Sequence, residues 1–176
     1  MPDINDIVAE AEKIRRALEL CDKETTPLVT KDFPAMNCKL SSLILTYHIL
    51  KKWPTITVYG VSGVATDHYE NDTISHYWLE LQEIAIDITA DQYNIIEDKN
   101  LNTRIIINRP FNPVSSGRIG SLPNYSLFKI INRDIYISGL PELAEDFLEK
   151  LHYTHEILTD IFPSEQEYSK IFHPTY

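Results

Sequence analysis

Ile4, Ile7, Val8, Ala11, Ile14, Ala17 and Leu18 recur at the three- and four-residue spacing of one helical face, with charged residues between them. The pattern predicts an amphipathic helix from Ile4 to about Leu20, with Cys21 as a small apolar filler near its end. A polar turn follows around Thr25-Thr26-Pro27. Leu40, Leu43, Ile44, Tyr47 and Leu50 then predict a second helix, of a length that suits a central core position. It should stop before Trp53-Pro54, because proline pushes the residue before it out of the helical region. The period changes to two from Thr55 to Val61, which reads as a strand; Thr66 to Thr73 reads as a loop. Ile74 to Leu81 and Ile84 to Thr89 read as a hairpin. Arg104 to Ile107 and Lys129 to Ile137 are further expected strands, separated by a Pro-, Ser-, Gly- and Asn-rich stretch from Pro110 to Asn124. Ser62-Gly63 and Ser116-Gly117 read as turns. Pro141 fits the first turn of a final helix to about Ile161.

The alternation inside the hairpin predicts its register. Period two puts His76, Trp78 and Glu80 on one face of the first strand and Tyr77, Leu79 and Leu81 on the other. Ile84, Ile86 and Ile88 form the apolar face of the second strand, leaving Ala85, Asp87 and Thr89 opposite. If the apolar sets share a side, Leu81 pairs with Ile84 across a Gln82-Glu83 turn and Trp78 pairs with Asp87. His76 is then diagonal to Asp87, at roughly 7–8 Å between backbones, within reach of the two side chains. A slip of one residue would turn Asp87 to the wrong face.

The second stretch with chemical content is the start of the Cys38 helix. Phe33-Pro34 imposes a non-helical approach, and Asn37 is a preferred N-cap whose side-chain oxygen can accept an unpaired backbone N–H. Cys38 therefore falls at or next to the first helical position. There, free N–H groups and the positive end of the helix dipole favour a thiolate. Cys38, His76 and Asp87 together offer a nucleophile, a general base and acid, and a carboxylate that orients the imidazole. The Cys38 backbone N–H is the first candidate oxyanion donor, with Asn37 as a second and Trp78 as a wall of the site. Glu80 and Asp91 are alternative orienting carboxylates.

Composition narrows the setting. The 176 residues, 43% of them hydrophobic, suffice for one domain spanning 1–176 with a sizeable core. The 26 acidic and 16 basic residues give a net charge of −10, which repels phosphate backbones and argues against nucleic acid as a partner while favouring a basic protein partner. The first residues lack the features of a targeting segment and no apolar run is long enough to span a bilayer, so a cytoplasmic protein without membrane association is expected. Two cysteines, Cys21 and Cys38, are too few for a disulfide scaffold. His152, His155 and Glu156 have spacing that could hold a metal but lack further ligands, and a solvated helix face is the simpler reading. No metal and no cofactor are expected.

The order Cys38, then the His76-x-Trp78-x-Glu80 strand, then Asp87 on the next strand resembles the transglutaminase-like and papain-like cysteine enzyme superfamily. The likeness covers about Asp32 to Tyr93, closing on Ile88-Thr89-Ala90-Asp91-Gln92-Tyr93. It implies an α+β fold in which an antiparallel sheet packs on the cysteine helix, flanked by N- and C-terminal helices. It further implies a Cys38-His76-Asp87 triad and acyl transfer through a thioester, in a hydrolase (peptidase or protein deamidase/amidase) acting on a peptide or protein amide. A transglutaminase or N-acyltransferase is the transfer alternative. A non-catalytic acidic binding or immunity-type module on the same scaffold is the alternative from a different class. The glutamine that papain-type proteases carry shortly before the cysteine is missing from Thr30 to Asn37.

Overall fold

The amphipathic N-terminal segment folds as α1 (Ile4–Leu20), capped by Asp3, whose carboxylate accepts the Asn5 N–H. In this computed structural model, which describes residues 2–65 and 74–162, the predicted face of α1 is the buried one: Ile7, Ala11, Ile14 and Leu18 are closed to solvent. The cysteine helix, α2 (Cys38–Lys52), ends before Trp53 as Trp53-Pro54 requires. From Ser41 to Leu50 only Tyr47 keeps partial exposure, so α2 is surrounded on nearly all sides.

What surrounds it is a five-stranded antiparallel sheet on one side and two helices on the other. The strands β1 (Val58–Ala65), β2 (Ile74–Leu81), β3 (Ile84–Asp87), β4 (Ser115–Arg118) and β5 (Lys129–Tyr136) lie in the order β4-β3-β2-β1-β5. The last described helix, α6 (Glu145–Asp160), joins α1 against α2. Leu43, Ile44 and Ile49 of α2 share one core with Leu79, Leu81, Ile84 and Ile86 of the sheet and Leu151 and Leu158 of α6. Each such side chain contributes about 1.5–3 kcal/mol by leaving water. The opposite sheet face carries a second, aromatic core of Trp78, Tyr93, Phe111 and Phe128 with Val61, Ala85 and Ile105. The protein is thus α+β, with its central helix on one sheet face and short connecting segments on the other. Among the described residues no helix is long and apolar enough to cross a membrane.

Several segments depart from the pattern. Arg104 to Ile107 is not a strand; Thr103–Ile107 forms the short helix α4, because Asn102 accepts the Ile105 N–H at 2.8 Å and only Ile105 of the β-branched run is buried. The Pro110–Asn124 stretch contains β4, paired through Ser116 and Gly117 with Ile86 and Ala85, so Ser116-Gly117 is strand rather than turn. Ser62-Gly63 likewise lies inside β1, where a register shift against β5 falls. A Cβ on Gly63 would stand 2.7 Å from Phe128 and 2.8 Å from the Trp78 ring, so glycine is there for close approach. The final helix begins at Glu145 instead of Pro141, after a turn through Gly139 and Leu140, both at positive φ. The Thr66–Thr73 loop and the tail after Pro163 lie outside the described residues.

His155 is also not on a solvated face. It is buried, its Nε2 lying 2.9 Å from Nδ1 of His48, while His48 Nε2 lies 2.6 Å from Glu10, which also accepts from Lys13 and Lys52. This polar seam ties α1, α2 and α6 together. Burial, with the charges of His48, Lys51 and His152, pushes His155 down to about 4.

Candidate active site

Asn37 and Cys38 stand where the chain turns into α2. Asn37 occupies the N-cap position and its carbonyl accepts the Ser41 N–H, but its side chain makes no cap bond. The amide points inward instead: Nδ2 donates to the Leu28 carbonyl at 3.1 Å, and Oδ1 accepts from the Ser41 hydroxyl at 2.7 Å. Fully buried and engaged at both ends, Asn37 locks the loop onto the helix and is not free to serve an oxyanion. Cys38, the first residue of α2, is partly exposed with a free thiol, and Cys21 is a second free thiol, buried at the C-cap of α1. Cys38 sits where the start of a helix leaves backbone N–H groups unpaired, and the Lys39 N–H helps to lower its thiol.

The hairpin brings the other two members together in the expected register. Leu81 faces Ile84, Glu80 faces Ala85 and Leu79 faces Ile86. Continuing that ladder sets Asp87 beside Trp78, one diagonal step from His76, and His76 Nε2–H donates to Asp87 Oδ2 at 2.6 Å. Both groups are closed to solvent, at 2% and 1% exposure. The imidazole lies in an aromatic box: Trp78 stacks on it with centroids 6.2 Å apart, and the Tyr93 and Phe128 rings lie at 5.3 Å. Trp78, fully buried, is therefore a wall behind the histidine. With Nε2 given to Asp87, Nδ1 is the ring nitrogen left for other partners, and the nearby Cys38 thiol helps to raise the imidazolium.

Asp87 is held on every side. Its Oδ2 also accepts from Asn124 Nδ2 at 2.7 Å, and its Oδ1 accepts the Thr89 N–H at 2.9 Å. Burial would push this carboxyl up, but the charge and hydrogen bond of His76, then Asn124 and Thr89, bring it below the usual carboxylate range. Burial opposes the His76 imidazolium in the same way, and the Asp87 charge and hydrogen bond, with help from Cys38, raise it to about 10. For Cys38 burial raises the thiol and the contact with His76 outweighs it, so the net shift is downward; the Asp87 charge works against that and the Lys39 N–H for it. The three shifts share one direction, towards thiolate, imidazolium and carboxylate.

Known protein families, curated proteins and solved structures give no match to this chain. What the site can do chemically follows from its own geometry: a partly exposed thiol, a buried imidazole against it, and a buried carboxylate behind the imidazole. Glu80 and Asp91, the alternative orienting carboxylates, are engaged elsewhere. Glu80 accepts from Tyr125 at 2.7 Å and from Arg133 at 3.0 Å; Asp91 pairs with Arg15 at 2.6 Å. Among the described residues no group of His, Cys, Asp and Glu is arranged to hold a metal.

Three residues that the sequence reading passed over also reach the site. Asn124 comes from the short helix α5 (Asn124–Leu127), 37 residues beyond Asp87, and no local pattern could have connected the two. Arg15 donates to the Ile88 carbonyl, the Pro113 carbonyl and Asp91, pinning the chain that leaves Asp87. Its signal was present: a charged residue four after Ala11, inside the apolar stripe of α1. Gln92, the first residue of α3 (Gln92–Ile95), is 3% exposed with its side-chain nitrogen 3.0 Å from His76 Nδ1.

Proposed function

We propose that the protein is a cysteine-dependent acyl-transfer enzyme with a Cys38-His76-Asp87 triad on a papain-like or transglutaminase-like core. Hydrolysis of a peptide or protein amide is the preferred outcome. The single observation that carries this reading is the His76 imidazole, closed to solvent, hydrogen-bonded to a buried carboxylate at 2.6 Å and close to the partly exposed residue Cys38. A structural histidine has no need of a thiol beside it, and an inert core cysteine has no need of a helix start and an imidazole.

In the proposed cycle His76 Nδ1 takes the Cys38 proton and the thiolate attacks an amide carbonyl, forming a C–S bond as the π electrons move onto oxygen. The oxyanion is met by the Cys38 backbone N–H at the start of α2. As the tetrahedral species collapses, the C–N bond breaks and the imidazolium hands its proton to the departing amine. Water, deprotonated by the same imidazole, then attacks the thioester, and the thiol returns. Asp87 stays ionised throughout and stabilises the imidazolium. An amine in place of water in the second half would give the transferase outcome on the same groups.

The test is the alkylation rate of Cys38 against pH in a Cys21→Ala background. A rate that persists well below the free-thiol pKa of ~8.5, and loses that low-pH limb in His76→Ala, is the expected result. An ordinary thiol profile in both proteins would sink the proposal and leave the binding-module alternative ahead.

A further inference from the structure

The segment that leads into Cys38 is tied to α6. Asn37 donates to the Leu28 carbonyl at 3.1 Å, and the neighbouring Pro27 carbonyl accepts the Thr154 hydroxyl of α6 at 2.8 Å. Leu28, between these two bonds, stands at φ 60°, a conformation that disfavours side chains. Thr154 is closed to solvent and is followed by His155, so the clamp on residues 27–37 and the buried histidine seam share one turn of α6. In that seam His48 Nδ1 and His155 Nε2, 2.9 Å apart, share one proton, and Glu10 takes the His48 Nε2–H at 2.6 Å. Wherever the shared proton sits, an added one ends on His155 Nδ1. That nitrogen is buried with no hydrogen-bond partner among the described residues. A charge there would stand among His48, Lys51 and His152. The carboxylates around it are in use: Glu10 accepts from His48, Lys13 and Lys52, and Glu156 lies 3.2 Å from His152 Nε2. The Tyr47 hydroxyl pairs with His152 Nδ1 at 2.9 Å.

We infer that α6 is an acid-released strap over the segment leading into Cys38: protonation of His155 lifts the turn that carries Thr154, and residues 27–37 lose their clamp. The strap stands on the packing of α1, α2 and α6; its effect on catalysis rests on the triad reading above. Buried, the protonated ring carries a charge and an N–H without an acceptor; in water it regains full hydration. The sign follows from linkage. A histidine lowered in the folded protein contributes stability that is present above its unfolded value of about 6.5 and is lost as pH falls towards the folded one. Because the group sits on one helix, the loss falls first on the opening of that helix.

The test follows backbone amide exchange by NMR in Cys21→Ala protein, corrected for the intrinsic pH dependence of exchange, alongside Cys38 alkylation. Protection of α6, relative to the β2–β3 hairpin, should fall about twentyfold between pH 7 and pH 5, and the amides of residues 28–37 should lose protection with it. His155→Gln keeps a donor for His48 Nδ1 and cannot titrate, so it should hold both at their pH 7 level. Thr154→Val should loosen residues 28–37 already at pH 7 and leave the response of α6 to pH unchanged. If His155→Gln fails to fold, a 15N titration of His155 in the parent decides: a midpoint that coincides with the loss of α6 protection supports the strap, and one displaced from it overturns it. Protection of α6 that stays level from pH 7 to pH 5, or falls equally in His155→Gln, also overturns the strap. An ordinary thiol profile at Cys38 with the α6 response intact overturns the triad and leaves the strap standing.

Discussion

Burial is the largest influence on Cys38, His76 and Asp87 alike, and in each it opposes the charged form. The charges are favoured because each has an opposite one nearby, His76 and Asp87 at 2.6 Å, which makes the pairs sensitive to loss of a single partner. In Cys38→Ala the His76–Asp87 pair remains without the thiol. A histidine raised above its unfolded value of about 6.5 contributes stability that is fully present below pH 6.5 and is lost as pH rises through the folded value. Urea denaturation of Cys38→Ala should therefore show stability falling as pH rises above 6.5, over a narrower range than the thiol-bearing site would give because Cys38 no longer helps to raise His76, and the slope should vanish in Cys38→Ala/His76→Ala. In the parent protein the lowered thiol partly offsets that slope. Its contribution is present above the unfolded thiol pKa and is lost as pH falls through the folded one. Asn124→Ala takes one donor from Asp87 Oδ2. It should cost about 1–3 kcal/mol at pH 7, measured by the same denaturation.

The β2–β3 hairpin is the element on which the site depends. Its two-residue turn puts Gln82 at φ 52°, a conformation that disfavours side chains, and the side-chain nitrogen of Gln82 is buried without a partner. Gln82→Gly should relieve both and stabilise the protein by about 1 kcal/mol, read as a rise in Tm. The register itself was legible because Ile84, Ile86 and Ile88 permit only one alignment with Leu79 and Leu81 that keeps both sets in the core. Arg104 to Ile107 failed the same logic. Its run of isoleucines suits a strand, but the cap at Asn102 and the burial of Ile105 alone left it helical. β4 was hidden for the converse reason: Ser115-Ser116-Gly117-Arg118 has no strand character, and it pairs only because β3 offers an open edge.

At the scale of the molecule, α1 reaches across to the loop that leaves the triad carboxylate. Arg15 makes a two-pronged pair with Asp91 and bonds two backbone carbonyls, with little solvent access to either partner. Arg15→Met should cost about 1–3 kcal/mol in urea denaturation, because it leaves the part-buried Asp91 and the buried Ile88 carbonyl without their donor. The helix start at Cys38, the two faces of the hairpin and the diagonal from His76 to Asp87 are all legible in the chain alone, because each follows from spacing along a few neighbouring residues. So are the burial of α1 and the stop of α2. Long-range packing is what turns Asn37 inward, stands Asn124 behind Asp87, sets Gln92 against the other side of the imidazole and fastens the loop between them through Arg15. Those contacts join residues 16 to 76 positions apart, or choose among several partners for one amide. Hydrophobic periodicity places a side chain on a face; which polar group it meets there is settled by the packing of elements that periodicity does not order.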